Sequence, residues 1–208
     1  MFRVLTVARE FGSGGGTVAQ KVADRLGWNL IDKNLVDEIA SRAKVDPDWA
    51  RTRDERLDSW LHRVSRRALW SGGPESVATV GATDVFDAET MATLARNLIK
   101  DAYSKGNCVI VGRGAQCILQ NRPDVFHVFI YAPMADKIER VRERVRAAGD
   151  VEELIRTTDR HRAEFVKFHF GCDWSNPHLY DAMICSKLGE DAVTAMIVEA
   201  MRAEKRPG

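Results

Sequence analysis

The chain has 208 residues, 45% of them hydrophobic and 29% charged, and 31 Lys and Arg against 30 Asp and Glu leave a formal charge of +1. This length suits one α/β domain whose core needs no disulfide or structural metal, and the hydrophobic content is too high for a disordered tail. The balanced charge argues against coating a nucleic-acid polymer through bulk electrostatics. The average hides a concentration of arginines between positions 140 and 162, the side chain suited to bidentate phosphate contacts.

Residues 3–8 form a β-branched run read as a buried strand, too short and too soon interrupted by charge for a signal peptide. A glycine-rich loop spans 9–16, and residues 17–26 then carry Val18, Val22 and Leu26, flanked by Ala19 and Ala23, on one helix face that Gly27 stops. A second short strand, 28–32, ends in Asp32, and helical spacing resumes with Leu35, Val36, Ile39 and Ala40. Residues 46–70 are charged and hold Trp49, Trp60 and Trp70 at approximate helical spacing, better suited to packing small helices than to stacking a base. A long helix is expected over 87–105 with Asp87 as its N-cap, then the clearest buried strand at 108–111 before Gly112-Arg113-Gly114. Further strands are expected at 125–131 and 180–185, with helices over 133–146, 151–170 and 190–205.

No apolar run approaches the roughly 20 residues that span a bilayer. Cys108, Cys117, Cys172 and Cys185 form no CxxC pair, and Cys108 and Cys185 fall in apolar runs as expected of buried, reduced thiols. His161 and His169 share a helix face without an acidic or Cys partner in register, a weak zinc signal. A cytoplasmic protein with no membrane partner is expected. Strands alternating with helices argue for a parallel sheet covered on both faces, with its ligand at the carboxyl ends of the strands.

The segment Gly12-Ser13-Gly14-Gly15-Gly16-Thr17 lies at such an end, between the first strand and the first helix. Backbone N–H groups without Cβ obstruction fold around an anion, and a helix N-terminus adds dipole and donors, so the segment reads as a phosphate cradle. Two ligands remain open on spacing alone. Gly14-x-Gly16-x-x-Ala19 with Asp32 fits a dinucleotide fingerprint, in which the acid holds a ribose hydroxyl. Against it, Arg9, Glu10 and Phe11 separate the strand from the first glycine, an arch that suits a mononucleotide loop. The template GxxxxGK[ST] is itself imperfect, because Gly15 stands in the place of its lysine and Arg9 in that of its first glycine.

The later motifs tip the balance. Arg9-Glu10-Phe11-Gly12-Ser13-Gly14-Gly15 is followed by Asp32-Lys33-Asn34-Leu35 and by Val109-Ile110-Val111-Gly112-Arg113-Gly114-Ala115. Then come the arginines after Ile138, Asp159-x-x-Arg162, Tyr180-Asp181 and Ser186-Lys187-Leu188-Gly189. In this order, over essentially the whole chain, the sequence resembles the cytidylate kinase-like family, relatives of bacterial cytidylate kinases among the P-loop nucleoside monophosphate kinases.

The resemblance implies a single domain over 1–208 with a P-loop NTPase-type three-layer fold. Its parallel five-stranded sheet would have helices on both faces, a helical acceptor-binding insertion at about 34–85 and a lid at about 136–165. It implies phosphoryl transfer from ATP, with Mg2+, to a nucleoside monophosphate or a similar small phosphorylated or hydroxyl acceptor. Gly12, Ser13, Gly14, Gly15, Gly16 and Thr17 would bind the donor phosphates. Asp32, Arg113, Asp159 and Arg162 would bind the acceptor, with Arg113 facing its phosphate. The lid arginines are Arg140, Arg142, Arg144 and Arg146, of which Arg140 and Arg144 join Arg9 and Arg113 as the catalytic candidates.

The resemblance implies that the missing P-loop lysine is a trait of the family generally, whereas the acceptor side holds a departure of this chain. Arg9, Lys21 and Lys33 are the cations available to replace the P-loop lysine, and Arg9 is favoured because it lies on the loop. Glu38 stands where cytidylate kinases place an acceptor-binding arginine. No Walker-B acid follows a central strand, so Mg2+ would be held mainly by phosphates and water. Each reading has a plainer rival: the arginines of 140–146 pair with neighbouring acids on a solvated face, and Asp159 with Arg162 forms an i,i+3 ion pair. At the level of function the rivals are a non-catalytic nucleotide-binding or regulatory degenerate kinase and an NAD(P)-binding oxidoreductase.

Overall fold

The computed structural model describes residues 1–32, 82–144 and 150–203. The chain divides into two compact units, residues 1–31 with 99–208 and residues 32–98. Of the expected insertion, only residues 82–85 are described, so the helical spacing after Asp32, Lys33, Glu38 and the three tryptophans of 46–70 lie outside the described residues.

The first unit is built on β1 (Val4–Arg9), β2 (Asn29–Ile31), β3 (Cys108–Val111), β4 (Val125–Tyr131) and β5 (Ala182–Cys185). They form one parallel sheet in the order β2-β3-β1-β4-β5. Parallel neighbours need crossovers rather than hairpins, and these carry α1 (Gly15–Leu26), α2 (Ala82–Lys105), α3 (Ala115–Ile118), α4 (Met134–Arg144) and α5 (Val151–Phe170). The last helix is α6 (Glu190–Arg202).

Alternation along β1 sends side chains into two cores. Leu5 and Val7, with Val109, Val128 and Ile130, are covered by Val18 and Val22 of α1 and by Val193 and Ile197 of α6. Val4, with Cys108, Ile110 and Val125, is covered by Ile99 and Ala102 of α2 and by Ala115 and Leu119 at α3. Full burial of one such aliphatic side chain contributes about 1.5–3 kcal/mol, so the central strands anchor the unit from both sides. α1 ends at Gly27, whose φ of 65° lets its N–H reach the carbonyls of Ala23 and Asp24.

Among the described residues the expected strands and helices are present, with shifts of boundary. α2 already runs through Asp87, so this residue does not cap it. α4 is described to Arg144, with 145–149 and hence Arg146 outside the described residues, and α6 ends at Arg202. α3 and the 3-10 turns Pro177–Leu179 and Ser186–Leu188 were not anticipated, being shorter than one period of an apolar face. Cys108 is buried as expected and its thiol pKa is pushed up to about 11 by burial, whereas Cys185 is only half-buried, and all four cysteines are free. No helix among the described residues is long and apolar enough to cross a membrane.

Strand order also decides between the two dinucleotide and mononucleotide templates. A dinucleotide fold sets the second strand beside the first, which brings its terminal acid to the glycine loop. Here β3 lies between β1 and β2, so the oxidoreductase reading loses its geometric basis.

Candidate functional site

The carboxyl edge of the parallel sheet collects the loop after β1, the Gly112-Arg113-Gly114 turn after β3, Ala132 after β4 and Ser186 after β5. The first of these arches over residues 10–14 and enters α1 through Gly14, which has φ 75°, a left-handed conformation that costs glycine nothing. Ser13 is fully buried; its hydroxyl donates to the Glu10 carbonyl at 2.8 Å and accepts from the Gly15 N–H at 3.4 Å, so it staples the arch from within. The Thr17 hydroxyl, in the first turn of α1, accepts from Arg144 at 3.1 Å.

Arg9 accounts for Gly15. A Cβ on Gly15 would stand 2.6 Å from the Arg9 Cβ and 3.1 Å from its Cγ, so the arginine stem fills the space where a side chain at 15 would begin. The stem then carries the guanidinium across to the Gly112 backbone, where no Cβ would fit either. One long side chain thus joins the glycine arch to the end of β3. Lys21, the other described candidate for the missing cation, is engaged elsewhere, with Asp191 at 2.9 Å and Glu190 at 3.4 Å.

Next to Gly112, Arg113 has φ 59°, a conformation that costs a non-glycine residue about 1–2 kcal/mol. It is also 8% exposed, unusual for an arginine, so its strain and burial together mark a constrained position. From α4, Arg140 donates to the Gly12 carbonyl at 3.4 Å and to the Ser186 hydroxyl at 3.2 Å, bridging the cradle to the turn after β5. Arg142 is exposed. Asp32 directly follows β2, is half-buried and belongs to the second unit.

Beneath the arch lies a buried ion network. Lys137 of α4, 5% exposed, donates to Glu10 at 3.0 Å and lies 3.8 Å from Asp159 of α5. Asp159 accepts the Phe11 N–H at 2.7 Å and an Arg162 N–H at 3.2 Å, while Arg162 donates to the Arg9 carbonyl at 3.1 Å. Burial raises the Asp159 pKa, since it outweighs the Phe11 bond and the charges of Arg162 and Lys137; burial likewise lowers that of Arg162. Both residues therefore turn toward the cradle in this structure, not only toward each other.

Sequence reasoning did not single out Glu10, Lys137 or Glu190. Lys137 did leave a signal, because it falls between Met134, Ile138 and Val141 on the apolar stripe of α4, where a solvated lysine has no place. Glu190 left none: its carboxylate reaches the outer side of the arch, 3.1 Å from where a Gly14 Cβ would stand, with Lys21 and Arg144 around it.

The family model described as "Cytidylate kinase-like family" matches residues 4–188. The chain belongs to that family. Membership covers all five strands and the whole carboxyl edge just described. Among curated relatives, the cytidylate kinase of Methanosarcina mazei is 28% identical over 114 residues, 54% of this chain and 63% of its own length. The chain thus spans somewhat less than two thirds of the relative it matches. An uncharacterized protein from Eubacterium ventriosum has a solved structure that superposes with a TM-score of 0.66 at 26% identity, over 98% of this chain and all of the other. Shikimate kinase from Acinetobacter baumannii, solved with shikimate, gives 0.51 at 13% identity over 97% and 93% of the two chains, a likeness of fold alone. The cytidylate kinase-like chain therefore has the fold of small P-loop kinases.

Proposed function

We propose that this cytidylate kinase-like chain transfers the γ-phosphate of ATP to a nucleoside monophosphate of the CMP type. The observation that carries the reading is the cradle itself: a glycine arch running into a helix N-terminus, with the Arg9 stem in the place of the missing lysine side chain. That arrangement fits an anionic polyphosphate, because amide donors and the helix dipole meet at the arch and the Arg9 stem crosses it on its way to the end of β3.

On this reading ATP brings the phosphoryl group and Mg2+ the charge neutralisation that phosphoryl transfer needs. Residues 12–17 would hold the donor phosphates through backbone N–H groups. Arg9 takes the role of the P-loop lysine, and Arg140 and Arg144 close the α4 side of the cradle. Arg113 and Asp32, at the ends of β3 and β2, are the acceptor-side candidates. Mg2+ would be carried mainly on phosphates and water. The protein's own contribution is then positioning and electrostatic stabilisation.

A panel of nucleoside monophosphates in a coupled ADP-release assay tests this directly. Turnover is expected to be fastest with CMP or a close analogue. ATP binding without turnover on any acceptor would instead assign the non-catalytic nucleotide-binding role.

A further inference from the structure

We propose that Asp159 and Arg162 are positioning residues of the donor side, which together with Lys137 fix the backbone of residues 9–11 and so shape the phosphate cradle before nucleotide arrives. This rests on the cradle being a donor-phosphate site, and it gives the pair a different role from the acceptor contact that family resemblance implies.

The contacts are specific. Arg162 holds the carbonyl of Arg9 and Asp159 holds the N–H of Phe11, so one ion pair grips the chain on both sides of Glu10. Glu10 is itself held through Lys137 and through the Ala132 N–H at 3.2 Å. Phe11 packs against the cluster of Val141 from α4 with Val151 and Ile155 from α5, and the Arg162 guanidinium lies 5.6 Å from its ring centroid. Three consecutive residues are thus fixed by backbone, side-chain charge and packing at once. Both Asp159 oxygens are engaged, Oδ1 with Phe11 and Arg162 and Oδ2 toward Lys137.

The consequence reaches the chemistry through Arg9. Its Cα is set by the gripped backbone, and its stem must pass Gly15 with no spare space. A cradle held in this way does not spend nucleotide binding free energy on its own ordering. Buried ion pairs are seldom worth more for stability than well-packed apolar groups, so a network this deep at the ligand end of a sheet points to a positioning task.

The test measures MgADP affinity without acceptor, and the KM for CMP, in the wild-type protein and in Asp159→Asn, Arg162→Met and Arg162→Lys. Donor-side positioning predicts that Asp159→Asn and Arg162→Met each weaken MgADP about tenfold, the scale of a lost charge-assisted hydrogen bond, with the KM for CMP within about twofold. Arg162→Lys, which keeps a donor for the Arg9 carbonyl, should recover part of the loss. Unchanged MgADP affinity with a raised KM for CMP would overturn the proposal in favour of acceptor binding, and equal losses on both sides would overturn it as well. Amide exchange at Phe11 in the nucleotide-free wild-type protein needs no variant to fold: slow exchange is expected, and fast exchange refutes the grip. A wild-type protein that binds no MgADP would remove the donor-site reading, which is distinguishable from wild-type binding that the variants leave untouched.

Discussion

An arginine stands at each end of β1, Arg3 just before it and Arg9 as its last residue, and the two ends are built differently. At the amino end, Arg3 donates to Asp124 at 2.9 Å, with the Tyr103 hydroxyl donating to the same carboxylate at 3.0 Å and the Arg3 side chain half exposed. At the carboxyl end, Arg9 runs over Gly15 beside four buried or half-buried charges on Glu10, Lys137, Asp159 and Arg162. The exposed pair keeps its water and is screened by salt, so it costs little to form and is worth little. The second network has lost most of its hydration, and each member depends on the others. Charge of the second kind, at the edge where parallel sheets bind ligands, is the mark of a site rather than of a staple.

The sharpest way to break the comparison is Lys137→Met. Removing this cation leaves Glu10 with the Ala132 N–H alone and Asp159 balanced only by Arg162, and unfolding in urea should show a loss of about 3 kcal/mol, the low end for a broken buried pair because Glu10 is half-buried. A loss below about 1 kcal/mol would mean that the network behaves like a surface pair after all.

Next in size is activity. Arg9→Ala should lower kcat/KM about 100-fold, the scale of one lost transition-state donor, while Arg3→Ala should leave it unchanged, although the two arginines stand at the ends of one strand. Equal kinetics for the two variants would refute the assignment of Arg9 as the loop's cation.

The smallest effect separates the two carboxylates by pH. At Asp124 burial works to raise the pKa, but the bonds from Arg3 and Tyr103 outweigh it and hold the value below normal. Its contribution is therefore present above the unfolded value, about 3.9, and is lost as pH falls through the folded one. Asp159 is raised, chiefly by burial, so its contribution is present below the unfolded value and lost as pH rises through the folded one. Stability measured from pH 3 to 7 should lose less on acidification in Asp124→Asn than in wild type, and lose more in Asp159→Asn. Shifts in one direction for both variants would contradict the opposite signs.

The sequence made the sheet legible because its strands are short β-branched runs, and the α1 face legible because Val18, Val22 and Leu26 repeat at helical spacing. Strand order was out of reach of periodicity, since nothing local says that β3 lies beside β1. The cradle could be read from its glycines, but the reason for Gly15 could not: it lies in a contact with a side chain six positions earlier. The ion network was hidden for a related reason. Lys137 and Arg140 are neighbours in a run of charges that reads as one solvated face, and only packing separates the buried lysine from exposed Arg142. Asp159 and Arg162 were found by resemblance, while their contacts with the backbone of residues 9–11 required the fold.

The close fit of Arg9 against Gly15 also constrains how this loop can change over descent. A side chain introduced at 15 meets the arginine stem, and the loss of Arg9 alone empties the space that the stem fills. The two positions are therefore expected to change together, a lysine at 15 calling for a smaller residue at 9.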